Sequence, residues 1–289
     1  MDLLDSEGVS ENVLTAQIDN VKKITTILKA LHFKEKAILY PSQRGLKVIV
    51  QDAKCMQAAA YIYPTLFQVY EVNINNTGDD PGDTVMFQIP FVALLQCLTI
   101  FEGCSNTPGA TTTLKMTYKG YGHPLNLILE EDGVLTDCQI RTQEAIDVLN
   151  FVIRDDEMRF KVIMKANELK LIFAELDSSS EFVELKLSQE PQNMKIITRG
   201  DSGMCEVCIS SSSEFVDIFK CDQDLSFRYT YAQFKPIIKF LQVALKANLR
   251  GTQDGLLCFH FVICLDLNSS QDRQYNYIEY FCTAAVDDD

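Results

Sequence analysis

Positive charge is scarce in this sequence. The 289 residues carry 26 Lys and Arg against 40 Asp and Glu, a formal net charge of −14, with a pI near 4.7. That balance excludes a large exposed basic surface, and a freely exposed nucleic-acid binder of this charge would have repulsion to overcome. The deficit is even along the chain: residues 1–150 hold 11 basic and 18 acidic side chains and residues 151–289 hold 15 and 22, so each half is −7. A basic domain joined to an acidic one is excluded. Histidine is scarcer still, and His32, His123 and His260 fall in separate segments, which leaves no histidine cluster for a metal or a general base. There is no G-x-S-x-G, Walker or G-x-G-x-x-G sequence. No apolar run reaches the length of about 18 residues that a membrane helix needs. Residues Met1 to Gly8 lack the basic and apolar regions of a secretory signal, so a soluble intracellular protein is expected. No basic cluster is dense enough to act as a nuclear import signal.

Ten cysteines are present, but they lie in apolar segments such as Gln96–Leu98 and Leu257–Phe259, where they serve as small hydrophobes. A reducing compartment fits. Cys205 and Cys208 form the only C-x-x-C, and on a strand their sulfurs would point to opposite faces. No metal and no cofactor are expected.

A hydrophobic content of 47% supports a full core. Residues 1–12 are polar and read as a disordered tail. Val13 to Ile18 reads as a strand, after which Asp19 or Asn20 caps a helix with the apolar stripe Val21, Ile24, Leu28 and Leu31. Short strands follow at 37–40, 46–51, 56–63 and 68–74, then a polar loop over 75–83 and a strand at 84–88. A second helix after Pro90 buries Phe91, Leu94, Leu95 and Leu98 and carries no Lys or Arg. Strands resume at 111–118, 124–130 and 134–140. Residues 141–157 alternate poorly and read as a connector. Beyond it come a strand at 159–164, a helix with Leu169, Ile172, Phe173 and Leu176, and strands at 182–187, 194–198, 204–210 and 225–229. One more helix and strands at 256–267 and 275–283, joined across 268–272, complete the chain before Asp287 to Asp289.

The segment from Tyr231 to Arg250 holds the most distinctive pattern. Phe234, Ile237, Ile238, Leu241 and Leu245 form one apolar helical stripe, and Lys235, Lys239, Gln242 and Lys246 form a second beside it with no acid among them. Pro236 fits only a first turn, which puts the helix start near Phe234 or Lys235 and its end near Asn248. Lys22 and Lys29 likewise share a polar face of the first helix, and Lys170 flanks the third. Taken alone, such stripes are solvated faces.

The order strand, helix, meander, helix, strands occurs twice. Asn20 and Asn167 precede corresponding helices at an offset of 147, and Phe91 and Phe234 open the second pair at an offset of 143. The expected fold class is α+β, two similar domains at 13–140 and 158–286 joined by the connector 141–157, with helices on one side and antiparallel sheets on the other.

Six segments taken together carry a resemblance over nearly the whole chain: Thr26–Phe33, Gly45–Ala58, Tyr118–Leu125, Glu130–Val134, Phe173–Asp177 and Phe234–Leu241. The sequence resembles the sliding clamps of DNA replication, typified by proliferating cell nuclear antigen, and is most similar to the Rad-one family of subunits of the heterotrimeric DNA-damage checkpoint clamp, the nine-one-one complex. The resemblance implies the DNA-clamp fold, in which helices line a central hole and sheets form the outer wall. It also implies a nuclear location, two other clamp subunits, sequence-independent double-stranded DNA through the hole, a clamp loader, and checkpoint and repair proteins as clients. Lys22, Lys29, Lys170, Lys235, Lys239 and Lys246 are then the DNA-facing set, and a ring needs only a few weak phosphate contacts, so a net charge of −14 is no objection. The implied subunit interface uses edge strands, with Val134, Thr136, Cys138 and Ile140 on one and Cys205, Val207 and Ile209 on the other. The implied client groove comprises Met56, Ala58, Ile146, Val148, Leu149, Ala284 and Ala285. Replication clamps carry a proline in the terminal segment where this chain has Thr283 to Val286.

An enzyme is the competing class. A metal-dependent 3'-5' exonuclease needs clustered carboxylates, and the two D-x-E tripeptides, at Asp5 to Glu7 and Asp155 to Glu157, fall in the tail and the connector. The expectation is a non-enzymatic protein with no catalytic residues. A scaffold that contacts only proteins is the third reading, and DNA-dependent loading separates it from a clamp.

Overall fold

The computed structural model describes residues 12–73, 85–102, 111–145, 147–201, 203–263, 265 and 275–285. The expected polar tail up to residue 11, the loop 75–83, the turn 268–272 and the acidic end 287–289 lie outside these residues.

Strand β1 (Leu14–Ile18) leads into helix α1 (Val21–Leu31), whose first turn is capped by Asn20: its Oδ1 accepts the Lys22 N–H at 3.1 Å. Strands β2 (Lys36–Ser42), β3 (Gly45–Asp52) and β4 (Met56–Ile62) form a meander, followed by a single 3-10 turn at Pro64–Leu66 and strand β5 (Val69–Val72). Strand β6 (Phe87–Pro90) opens helix α2 (Phe91–Leu98), and β7 (Thr113–Tyr118), β8 (Leu125–Glu131) and β9 (Val134–Ile140) follow. A two-residue strand β10 (Gln143–Glu144) lies within the expected connector.

The order then recurs. Strand β11 (Met158–Lys165) precedes helix α3 (Ala166–Ala174), after which come β12 (Phe182–Ser188), β13 (Asn193–Gly200), β14 (Gly203–Ser210), β15 (Val216–Cys221) and β16 (Leu225–Thr230). Helix α4 (Tyr231–Val243) and strands β17 (Lys246–Thr252), β18 (Leu257–Ile263) and β19 (Asn276–Cys282) complete the chain. Among the described residues, four α-helices and antiparallel sheets make a mixed α+β fold, as expected.

Three assignments differ from the sequence reading. Helix α4 begins at Tyr231, not near Phe234, because Glu181 O accepts the Tyr231 N–H at 2.8 Å and Gln233 Oε1 accepts the Thr230 N–H at 2.8 Å, which secures the first turn before Pro236 is reached. The same helix ends at Val243, not Asn248. Ala244 is extended and the Leu245 N–H donates to Val262 O at 2.8 Å, so a sheet ladder takes over the chain and leaves Leu245 46% exposed rather than in the core. Strand β15 has no clear alternation and was not foreseen; its pairing with β11, Ile163 opposite Ile218 and Phe160 opposite Cys221, creates it.

The chain divides into two compact units. Unit 1 comprises Met1–Thr25, Glu35–Val48 and Ile62–Ile146. It contains a five-stranded sheet in the order β5-β1-β7-β8-β9 and the run β10-β6-β2-β3. Leu14, Ala16, Leu114, Met116, Leu127 and Leu129 are buried at alternate positions, and Phe87 stacks on Tyr118 at 4.0 Å between centroids. Unit 2 comprises Thr26–Lys34, Ile49–Tyr61 and Asp147–Asp289. Here the run is β4-β19-β18-β17-β11-β15, and a separate four-stranded sheet has the order β14-β13-β12-β16. Helices α3 and α4 pack against each other through Phe173 and Phe234, stacked at 5.5 Å, and both rings meet Phe259 of β18 edge to face at 6.3 and 6.2 Å.

Phe259 is 1% exposed and central to that cluster. Replacing it by Ala removes both edge contacts and leaves a cavity, a loss of about 3–5 kcal/mol. Denaturant unfolding followed by circular dichroism should show the drop, with Phe259→Leu losing clearly less; equal stability of wild type and Phe259→Ala would contradict this account of the core.

Candidate nucleic-acid interface and assembly surfaces

The six lysines singled out above separate into helical and non-helical positions. Lys22 and Lys29 lie on α1, Lys170 on α3, and Lys235 and Lys239 on α4; Lys170 is half-buried and the others are exposed. Lys246 is not on the helix. It opens β17 opposite Lys165 of β11, and its Nζ is 2.6 Å from Asp217 Oδ2. The short reach of α4, ending at Val243, is the reason. Within unit 2, Lys239 Nζ donates to His32 O at 2.9 Å, which sets a cation beyond the C-terminal end of α1, where the helix dipole favours it. Lys235 Nζ lies 5.9 Å from the Tyr231 ring centroid. Helix α2 exposes Val92 and Gln96 and has no basic residue.

Strands β9 and β14 are each hydrogen-bonded to one neighbour among the described residues, β9 to β8 and β14 to β13, so both stand at sheet edges. On β9, Val134 is 57% exposed, Thr136 and Cys138 are half-buried and Ile140 is buried. On β14, Cys205 and Val207 are half-buried and Ile209 is buried, while Met204 is 61% exposed. Exposed apolar side chains, Val134, Leu135 and Met204, stand at these edges beside the exposed charges Asp137 and Glu206.

The connector is held to unit 2 by two glutamines. Gln57 Nε2 donates to Leu149 O at 2.6 Å, Gln51 Oε1 accepts the Leu149 N–H at 3.0 Å, and Gln51 Nε2 donates to Asp147 O at 2.8 Å. Phe151 stacks on Phe281 of β19 at 5.9 Å. Sequence reading did not single out these glutamines. The signal was available: Gln57 stands in an apolar strand, is 4% exposed, and a buried amide requires partners. Of the groove residues, Met56 precedes Gln57 on β4, Val148 and Leu149 belong to the segment the glutamines hold, Ala284 and Ala285 lie in the terminal segment, and Ile146 is outside the described residues. Ala58 is fully buried, so its methyl belongs to the core. The terminal segment lies against the unit, with Thr283 N–H donating to Cys55 O at 3.0 Å, Ala284 N–H to Gly255 O at 3.1 Å and Ala285 N–H to Arg228 O at 2.7 Å.

Among the described residues no group of three or more His, Cys, Asp and Glu is placed to hold a metal ion. No helix among them is long and apolar enough to cross a membrane. Asp155, Asp156 and Glu157 form a turn in which Glu157 Oε2 accepts the Arg154 N–H at 3.2 Å.

A family model described as repair protein Rad1/Rec1/Rad17 matches residues 13–263. The chain belongs to the Rad1 family. It is 35% identical to the mouse cell cycle checkpoint protein RAD1 over 278 residues, which is 96% of this chain and 94% of that protein. The human protein of the same name is 36% identical over 93% of this chain and 90% of its own length. The DNA damage checkpoint control protein rad1 of Schizosaccharomyces pombe is 27% identical over 92% of this chain and 84% of its own. The match covers both β9 and β14, α1 to α4 and the connector alike.

Removing the Gln57 amide should release the connector without unfolding unit 2, since a net hydrogen bond is worth only about 1 kcal/mol. Gln57→Leu is therefore expected to speed tryptic cleavage after Arg154 several-fold with little change in thermal midpoint. Cleavage at the wild-type rate would assign the connector's position to other contacts.

Proposed function

We propose that this chain is one subunit of a heterotrimeric, ring-shaped DNA-damage checkpoint clamp that encircles double-stranded DNA and serves as a platform for checkpoint and repair enzymes. The observation that carries this reading is a repeated joint. In unit 2, β19 ends the series β15-β11-β17-β18-β19 and pairs antiparallel with β4, Tyr277 opposite Tyr61 and Cys282 opposite Met56. The five-stranded sheet of unit 1 repeats that series as β5-β1-β7-β8-β9, and the hairpins match: Leu125 opposite Ile140 corresponds to Leu257 opposite Cys282. Strand β9 is thus the counterpart of β19, and β14 occupies in its sheet the place that β4 occupies beside β3. The ladder that β19 makes with β4 inside the chain is one that β9 and β14 make with neighbouring subunits. Each subunit then has two different ends, and such heterologous contacts close into a ring.

The ring gives the lysines a role. Ammonium groups on α1, α3 and α4 meet phosphates without reading bases, and encirclement supplies the retention that a chain of net charge −14 could not obtain from affinity alone. Client peptides enter the groove bordered by Met56, Val148, Leu149, Ala284 and Ala285, a clamp loader opens the ring, and the work is nuclear. The exonuclease alternative is not favoured, because the Asp155–Glu157 carboxylates sit on a turn and Glu157 is engaged by its own Arg154.

Two experiments test this. In the assembled complex, replacing Lys235, Lys239 and Lys246 with Glu should shorten retention on a nicked circle by about tenfold or more at low salt, the loss expected when several phosphate contacts reverse sign. Unchanged retention, with the complex intact, would reduce the protein to a scaffold. For assembly, Cys138→Pro and Val207→Pro each delete a ladder donor at an edge. Each variant should lose one neighbour on size-exclusion chromatography, and a complex of undiminished size would reject these edges.

A further inference from the structure

The four-stranded sheet of unit 2 buries Val183, Leu185, Met194, Ile196 and Tyr229 on one face. Its other face holds a cavity of about 510 Å³ lined by Ser180 and Glu181, by Phe182 and Glu184 of β12, by Ile197 and Arg199 of β13, and by Arg228 of β16. Ile197, 2% exposed, is its apolar floor. The Arg228 guanidinium lies 4.3 Å from the Phe182 ring centroid, a stacked arrangement that fixes the plane of the fork. From the opposite side, Arg199 Nη1 lies 2.8 Å from Glu184 Oε2 while the arginine side chain stays 59% exposed. Strands β16 and β13 flank β12, so the two arginines rise from backbones roughly 10 Å apart and lean toward the strand between them.

Glu184 is the organiser of this arrangement. Burial works to raise its pKa, but hydrogen bonds from Arg199, Lys186 and Ser226 outweigh it and hold the value down to about 2. Its Oε1 is 2.9 Å from Lys186 Nζ and accepts from Ser226 Oγ at 3.2 Å, which leaves one oxygen for Arg199. The sheet face as a whole reverses the sign of the protein. Lys186, Lys195, Arg199 and Arg228 stand there against Glu181, Glu184 and Glu206, with Glu206 bound to Lys195 at 2.7 Å, an excess of one positive charge in a chain whose net charge is −14.

We propose that this cavity docks an acidic peptide segment of a partner protein, with aspartate or glutamate carboxylates received by Arg199 and Arg228 and an apolar neighbour resting on Phe182 and Ile197. Charge complementarity selects the occupant. Planar guanidinium forks match carboxylates in pairs, one carboxylate is already held there in the form of Glu184, and the apolar floor gives a flanking side chain a place to be buried. The site lies on β12, β13 and β16; β13 is paired with the edge strand β14, and Arg228 O accepts the Ala285 N–H at 2.7 Å, but the proposal uses no contact with another subunit and stands without the ring reading.

The test is fluorescence anisotropy on the full chain, with a labelled peptide of alternating aspartate and glutamate around a central leucine pair. A control peptide carries asparagine and glutamine in place of the acids. The acidic peptide should bind and the neutral one should not. Arg228→Ala, Arg199→Ala and the milder Arg228→Lys should each weaken binding, by about tenfold for the two truncations, as loss of a charge-assisted hydrogen bond predicts. Lys115→Glu, at an exposed position of β7, should leave it unchanged. Thermal melts of each variant separate loss of binding from loss of fold, and Arg228→Lys, which keeps charge and stem, provides the folded reference. The proposal is overturned if the acidic peptide fails to bind, if both peptides bind alike, if Arg199→Ala/Arg228→Ala binds as wild type, or if a short DNA duplex displaces the peptide, which would make the face a general polyanion surface.

Discussion

Backbone hydrogen bonds that one strand cannot satisfy alone govern this molecule. The last strand of the chain, β19, has β18 on one side and takes β4, from the first third of the sequence, on the other. Buried N–H and C=O groups must be paired, so this ladder is compulsory once Ile278, Tyr280 and Cys282 are in the core. Tyr280 adds a second tie: its hydroxyl donates to Gln233 O at 2.6 Å, linking the strand to the first turn of α4. Burial pushes the Tyr280 pKa far up, which keeps the hydroxyl a donor at any physiological pH. At β9 and β14 the same demand is met on one side only among the described residues.

Electrostatics follow a different logic from packing. The acidic excess is spread over the chain, whereas the exposed lysines of α1 and α4 are set by helical periodicity. Each lysine is modestly constrained by its surroundings, as in the contact of Lys239 with the His32 carbonyl. Exposed ammonium groups of this kind contribute little to stability. Their positions therefore cost the fold almost nothing, and a sequence-neutral phosphate contact asks for no closer definition. Arg199 and Arg228 are held more firmly, one by a carboxylate and one by an aromatic face, as recognition of a specific group requires.

The amino-acid sequence by itself determined the repeating order of elements and the core stripes. Val21, Ile24, Leu28 and Leu31 are all buried as their spacing dictates, and β9 and β14 form where their β-forming runs lie, while their place at sheet edges is set by the order of the sheets. Local chemistry suffices for such features, because period and propensity act over a few neighbouring residues. What only the tertiary structure decided are the features whose cause lies far off in the chain. Strand β15 exists because β11 pairs with it; Lys246 left the helix because Val262 captured Leu245; the connector lies where Gln51 and Gln57, about a hundred residues earlier, hold it. The cavity between Arg199 and Arg228 is of the same kind, since three strands must come into register before its walls face each other. Long-range hydrogen bonds carry no local periodicity, and for that reason the sequence alone does not announce them.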